Sequence, residues 1–163
     1  MRWRGMWLAW VGDMGLATMT LEMRSPEEHR ERLHELVKAT RTAVVLSGTP
    51  GDEIDVKPMT MARTGDDTTM YLASAFDAEQ VAALERSARV TVVLQGAGYA
   101  VFSGEARISR DRALIDELWS DGWTQWSRGK WDPSLGIMIV SPIEGSYWEG
   151  TDRHTYLYRL VDG

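Results

Sequence analysis

The sequence predicts a mainly β (α+β) domain, a closed or partly open antiparallel barrel of six or seven strands with three helices at its margins. Three observations carry that prediction. Strand-like runs recur along the chain, at 42–47 (TAVVLS), 69–74 (TMYLAS), 89–95 (RVTVVLQ) and 99–108 (YAVFSGEARI). Turn-forming segments such as TGDD at 64–67 and GAG at 96–98 join neighbouring runs directly, leaving no room for the crossovers of a parallel sheet. Finally, neither the Gly-rich fingerprint of a doubly wound dinucleotide fold nor a P-loop is present.

Composition narrows the function classes. A chain of 163 residues with 44% apolar and 26% charged residues suits one globular domain with a sizeable core. Its net charge of −6 argues against nucleic acid as a partner. With no cysteine, there is no disulfide framework, thiol nucleophile or thiolate metal site, which fits a cytoplasmic protein. Three scattered histidines offer little to a transition metal, and no Ser, His and Asp trio stands in a recognisable motif.

Taken in order, residues 1–24 read as a loosely ordered N-terminal extension. The apolar stretch Met6 to Val11 is too short to span a membrane, and the basic start lacks a clear signal-cleavage site. Met14, Met19 and Met23 are alternative starts, and an arm whose tryptophans anchor on a partner subunit is the alternative reading. The main domain then runs from 25 to 163. Ser25-Pro26-Glu27-Glu28 is a helix start, with Leu33, Leu36 and Val37 as the apolar stripe ending near Thr40. His29 and His34 on this helix are five apart, do not share a face as metal ligands would, and read as surface residues.

Residues 42–47 form a buried strand closed by a turn at 48–52. The stretch 53–88 is the centre of the chain. In its first strand Ile54, Val56, Pro58, Thr60 and Ala62 fall on one face, and Lys57, Met59 and Met61 on the other. A tight polar turn and the strand 69–74 follow, then a helix with Asp77 as N-cap and Gln80 reaching back to it. A helix N-terminus opening off a strand pair is a place where a phosphate can be held. Strands 89–95 and 99–108 come next, the second with Gly104 inside as a bulge or bend. Ser109 is expected to cap a helix over 110–119. Trp119 completes that helix's apolar face with Leu114, Ile115 and Leu118, and Trp123, Trp126 and Trp131 in the loop after it either pack the core or a dimer contact, or form a lid over a planar ring. Strands at 136–140 and 146–149, interrupted by Pro142, and a last strand in HTYLYRL complete the chain.

From Glu28 to Glu149, the ordered set AVVLS, VKPMT, MYLAS, VAALE, RVTVV, YAVFSGEARI, the helix ending in LW, the tryptophan-rich loop and SYWEG resembles one family. It is the general stress protein branch of the pyridoxamine 5'-phosphate oxidase-like FMN-binding split barrels. The resemblance implies a six-stranded split barrel with Greek-key topology, forming a homodimer with FMN in two grooves at the subunit interface. It assigns cofactor contacts to Lys57, Pro58, Met59 and Thr60 on one strand, with Lys57 in place of the usual Arg, and to Ala73 and Ser74 on the next. Ala78, Glu79 and Gln80 stand where the phosphate-binding turn normally offers a hydroxyl and a cation. Tyr99 fills the column of a polar flavin contact, and Trp126 and Arg128 come from the tryptophan-rich loop. Lys57, Arg63, Arg128 or Lys130 are the cations that would compensate at the phosphate.

The implied function is that of a flavin-dependent oxidoreductase of unknown substrate, its chemistry the flavin's own. The alternatives are a deazaflavin or haem in the same groove, or a cofactor-free barrel acting as a binding protein. A third is a true pyridoxamine 5'-phosphate oxidase, with Arg153 and His154 in YWEGTDRHTYLYR as substrate residues.

Overall fold

The computed structural model describes residues 24–48 and 51–159. The expected extension therefore lies, apart from Arg24, outside the described residues. Among the described residues, seven strands and three α-helices follow in the order α1 (Pro26–Ala39), β1 (Thr42–Ser47), β2 (Asp55–Thr64), β3 (Met70–Ala75), α2 (Ala78–Arg86), β4 (Arg89–Gln95), β5 (Tyr99–Ser109), α3 (Arg112–Leu118), β6 (Leu135–Glu149) and β7 (Asp152–Leu157). A single 3₁₀ turn, Asp121–Gln125, sits between α3 and β6.

All pairings are antiparallel, in the order β3-β2-β1-β4-β5-β6-β7. A further pairing of β3 with β6, from Met70↔Val140 to Ala75↔Leu135, closes six strands into a barrel and leaves β7 as an addition. The return of β4 to lie beside β1, after the meander β1-β2-β3, is a Greek key.

Alternation on the pleat divides the apolar residues into two cores. Met70 and Leu72 of β3 join Val45, Met59, Phe102 and Tyr147 inside the barrel, into which α1 lays Leu33, Leu36 and Val37. Tyr71 and Ala73 of the same strand point outward, to a second cluster with Ile137, Ile139, Ile115 and Trp123. Each fully buried Leu or Val contributes about 1.5–3 kcal/mol. At both α1 and α2, a full capping box satisfies backbone donors that the helix start would otherwise strand: Ser25 with Glu28, and Asp77 with Gln80.

Three details differ from the sequence expectation. Residues 136–140 and 146–149 are not two strands but parts of one, the 15-residue β6. Pro142 lacks a ladder donor, yet it falls beside a register shift between Ser103 and Gly104 of β5, so a bulge absorbs the break. Only glycine fits at 104, because a Cβ there would lie 2.6 Å from the Ser141 carbonyl oxygen. The third helix is capped by Asp111, not Ser109, whose residue still belongs to β5. His29 is half-buried, not a surface residue: its Nδ1 lies 2.8 Å from the Tyr147 hydroxyl and its ring stacks on His154 at 5.2 Å. His34, also half-buried, reaches the Thr68 hydroxyl at 3.1 Å.

Candidate functional site

A groove of about 790 Å³ opens between β2, the residues 52–55 that lead into it, and α2. Its volume lies within the roughly 300–1,000 Å³ of ligand pockets. Val45, Met59, Phe76, Leu84 and Met138 give it an apolar floor. Lys57 and Met59 enter it because they share the inward face of β2. Asp77 and Gln80 reach it because the chain turns from β3 directly into α2.

Lys57 is the cation nearest the floor, and its ammonium is already engaged. It donates to the Ala75 carbonyl and to Gln80 Oε1 at 3.5 Å, and lies 5.0 Å from the centre of the Phe76 ring. Burial holds its pKa below the ordinary lysine value, although Asp55 and Asp77 pull the other way. Gln80 is equally committed. Its Oε1 accepts from the Asp77 amide at 3.2 Å and its Nε2 donates to Asp55 at 3.4 Å. The Asp77 carboxylate in turn accepts from the Gln80 amide at 2.8 Å, so the helix start carries an anion of the chain's own. Asp52, Glu53, Asp55, Asp77 and Glu79 line the rim, against Lys57 and Arg86.

Of the residues assigned by resemblance, the groove gathers Lys57, Met59 and Gln80. Pro58 and Thr60 alternate onto the outer face of β2, where Thr60 pairs with the outward-facing Ala73. Ser74 is buried, its hydroxyl turned to the Ala75 carbonyl at 3.4 Å. Tyr99, 60% exposed, sits on β5, three strands from β2, opposite Trp148.

The tryptophan-rich loop does not line the groove. Trp123 is only 3% exposed, edge-on to Trp119 at 5.5 Å and stacked with Trp126 at 5.8 Å, and it packs on the outer core. Trp131 is 73% exposed, with the Arg112 guanidinium 4.4 Å from its ring centre. The Arg128 amide, by contrast, is bound by Asp132, whose carboxylate also takes the Ser134 amide and hydroxyl. Of the other candidate cations, Arg63 pairs with Glu117 and Lys130 with Asp116. Arg153 bonds Ser146, and His154 packs against both His29 and Tyr147.

Sequence reasoning missed the acidic rim. Its signal was legible in GDEID at 51–55, which the turn brings opposite Asp77 and Glu79.

The model of the family described as "Pyridoxamine 5'-phosphate oxidase like" matches residues 28–161. The chain belongs to that family. A relative, General stress protein 26 of Bacillus subtilis (strain 168), is 28% identical over 83 residues, 47% of this chain and 59% of that protein. The match thus spans little more than half of that relative's length.

Solved structures at lower identity share the fold. A Clostridium acetobutylicum protein related to general stress protein 26 superposes with a TM-score of 0.70 at 18% identity, covering 80% of this chain and 95% of its own. General Stress Protein 26 of Bacillus anthracis gives 0.61 at 21%, covering 72% and 92%. A Xanthomonas citri protein described as a general stress FMN/FAD binding protein gives 0.60 at 22%, covering 84% and 95%.

The groove suits the two halves of an FMN molecule unequally. The apolar floor fits a planar ring. A phosphate near two negative charges does not fit a helix start that already holds Asp77, beside Glu79 and Asp55. No helix among the described residues is long and apolar enough to cross a membrane.

Proposed function

We propose that this chain is a flavin-binding protein of the general stress type, working as a two-fold homodimer in the cytoplasm, with the flavin ring on the apolar floor between β2 and α2. The observation that carries this reading is a coincidence of place. The groove opens at the strand that carries Lys57 and Met59 and at the α2 start, two of the segments to which the family resemblance assigns the cofactor. FMN is the form that resemblance implies. Any redox step would be the flavin's, with the chain supplying orientation and a water-poor floor.

The homodimer is supported by an apolar outer face. Val44 and Val56 are 37% and 56% exposed; Pro58↔Val44 and Val44↔Val93 set Val44 in a row across β2, β1 and β4, and Val56 stands opposite Leu46 in the next row. Such a row suits burial against a second copy, in an interface of about 2,000 Å² or more. The domain boundary near residue 25 and the separate role of the preceding segment belong to the same proposal.

The deciding experiment is the absorption spectrum of the purified protein, with light scattering at micromolar concentration. The near-ultraviolet and blue bands of an oxidised flavin, on a particle of twice the chain mass, are expected. A Soret band would point to haem. A colourless protein that gains no flavin bands on incubation with flavins would refute the flavin reading, and a monomeric mass the dimer.

A further inference from the structure

We infer that the groove takes its flavin without a phosphate: an isoalloxazine carrying an uncharged polyol, the riboflavin class. The inference rests on the flavin reading above and deepens it. Three features of one place point the same way.

First, the anion seat is filled. A helix N-terminus can hold a phosphate through its amides, but at α2 the Asp77 carboxylate already accepts from the Gln80 amide at 2.8 Å, and Gln80 closes the box by accepting from the Asp77 amide. A phosphate could take those amides only by displacing a carboxylate tied to the same turn.

Second, the cation is spent. Lys57 donates to the Ala75 carbonyl and to Gln80, on the floor side of the groove and beneath the helix cap. Arg63 and Lys130 are paired with Glu117 and Asp116, and neither they nor Arg128 line the groove; the other lining cation, Arg86, stands at the far end of α2 from the helix start.

Third, the surrounding field repels. Even with Asp52 set aside, the four carboxylates of Glu53, Asp55, Asp77 and Glu79 against Lys57 and Arg86 leave the lining net negative. A phosphate of nearly two negative charges meets them at close quarters, whereas a neutral polyol meets hydrogen-bond acceptors suited to its hydroxyls. The apolar floor of Val45, Met59, Phe76, Leu84 and Met138 is indifferent to this choice, because both ligands carry the same ring.

The test titrates the full chain, freed of bound ligand, with riboflavin and with FMN, following quenching of flavin fluorescence. Riboflavin is expected to bind at least about tenfold more tightly than FMN. That gap should narrow in about 1 M salt, where the screening length falls to about 3 Å. Glu79 is exposed and stands outside the capping box, so its variants should fold. Glu79→Gln and Glu79→Lys should narrow the gap further in that order, by tightening FMN more than riboflavin. FMN binding as tightly as riboflavin, or a gap that answers neither to salt nor to Glu79, overturns the inference while the flavin reading stands. Failure of both flavins to bind overturns the flavin reading and the inference with it.

Discussion

Replacing Trp123 by alanine separates the two readings of the tryptophan-rich loop, internal packing and a lid over a ring. Trp123 is 3% exposed and touches Trp119 and Trp126 at 5.5 and 5.8 Å between ring centres. Its neighbours on the barrel wall are Ala73, Ile137 and Ile139, with Ile115 from α3. None of these is free to collapse into the void, since three belong to paired strands of a closed barrel. The substitution should therefore fall in the range of about 3–5 kcal/mol for a buried Trp or Phe, including two aromatic contacts of about 0.5–1.5 kcal/mol each. Against a typical stability of about 5–15 kcal/mol, that lowers the melting temperature by roughly 6–20 °C at this chain length. Differential scanning fluorimetry reads the shift, and a flavin titration at a temperature where both proteins are folded reads the groove. Affinity should stay within about twofold, since no tryptophan lines the groove. A melting temperature within about 2 °C of the parent, or a tenfold loss of affinity in a protein of unchanged stability, would refute the packing assignment.

Three further outcomes are expected. Gly104→Ala should cost about 1–3 kcal/mol by chemical denaturation, because its Cβ would press on the Ser141 carbonyl oxygen at 2.6 Å; Gly122→Ala, which meets only the Ser120 hydroxyl at 3.6 Å, should stay near neutral. Burial, aided by His154 and Arg24, holds His29 below its ordinary pKa of 6.5, so the unfolded chain takes up that proton first. Stability should then fall as pH drops from 6.5 downward, and His29→Gln should flatten the urea midpoint across that window. Asp132 is held down to about 2 by the Arg128 amide, the Ser134 hydroxyl and the Ser134 amide, so its contribution is full above 3.8 and lost as pH falls toward 2. Asp132→Ala should cost about 1–3 kcal/mol at neutral pH, and the deficit should disappear in strong acid if the carboxylate is its source.

Much of the fold was legible because pattern and turn chemistry agree. Ser25 and Asp77 were readable as caps from four residues each, and both close their boxes. The alternation of Lys57 and Met59 against Pro58 and Thr60 is a property of any strand, and it already implied that the four could not face one ligand together. Pro142 misled because a proline in a strand run usually ends it. Its tolerance here depends on Gly104, a residue far away in sequence that only pairing brings opposite. His29 likewise shows nothing of its role locally, since Tyr147 and His154 come from β6 and β7. The acidic rim is a juxtaposition of the same kind. GDEID and DAE are ordinary turn and cap sequences until the barrel sets them across one groove.

The single long strand β6 has a consequence for how the chain reaches this state. Its first half closes the barrel on β3 and its second half carries β7, while β5 runs along both. As the ribosome delivers the chain from the N-terminus, β1 to β5 can pair in turn, but the β3 edge stays open until residues 135–140 have emerged. Through most of synthesis the nascent sheet thus carries an uncapped margin, Met70 to Ala75, that is almost wholly apolar. Closure is the most sequence-distant pairing in the barrel and comes late. The vulnerable interval is therefore set by how quickly the segment between β5 and β6, with its tryptophans, is made and folded back.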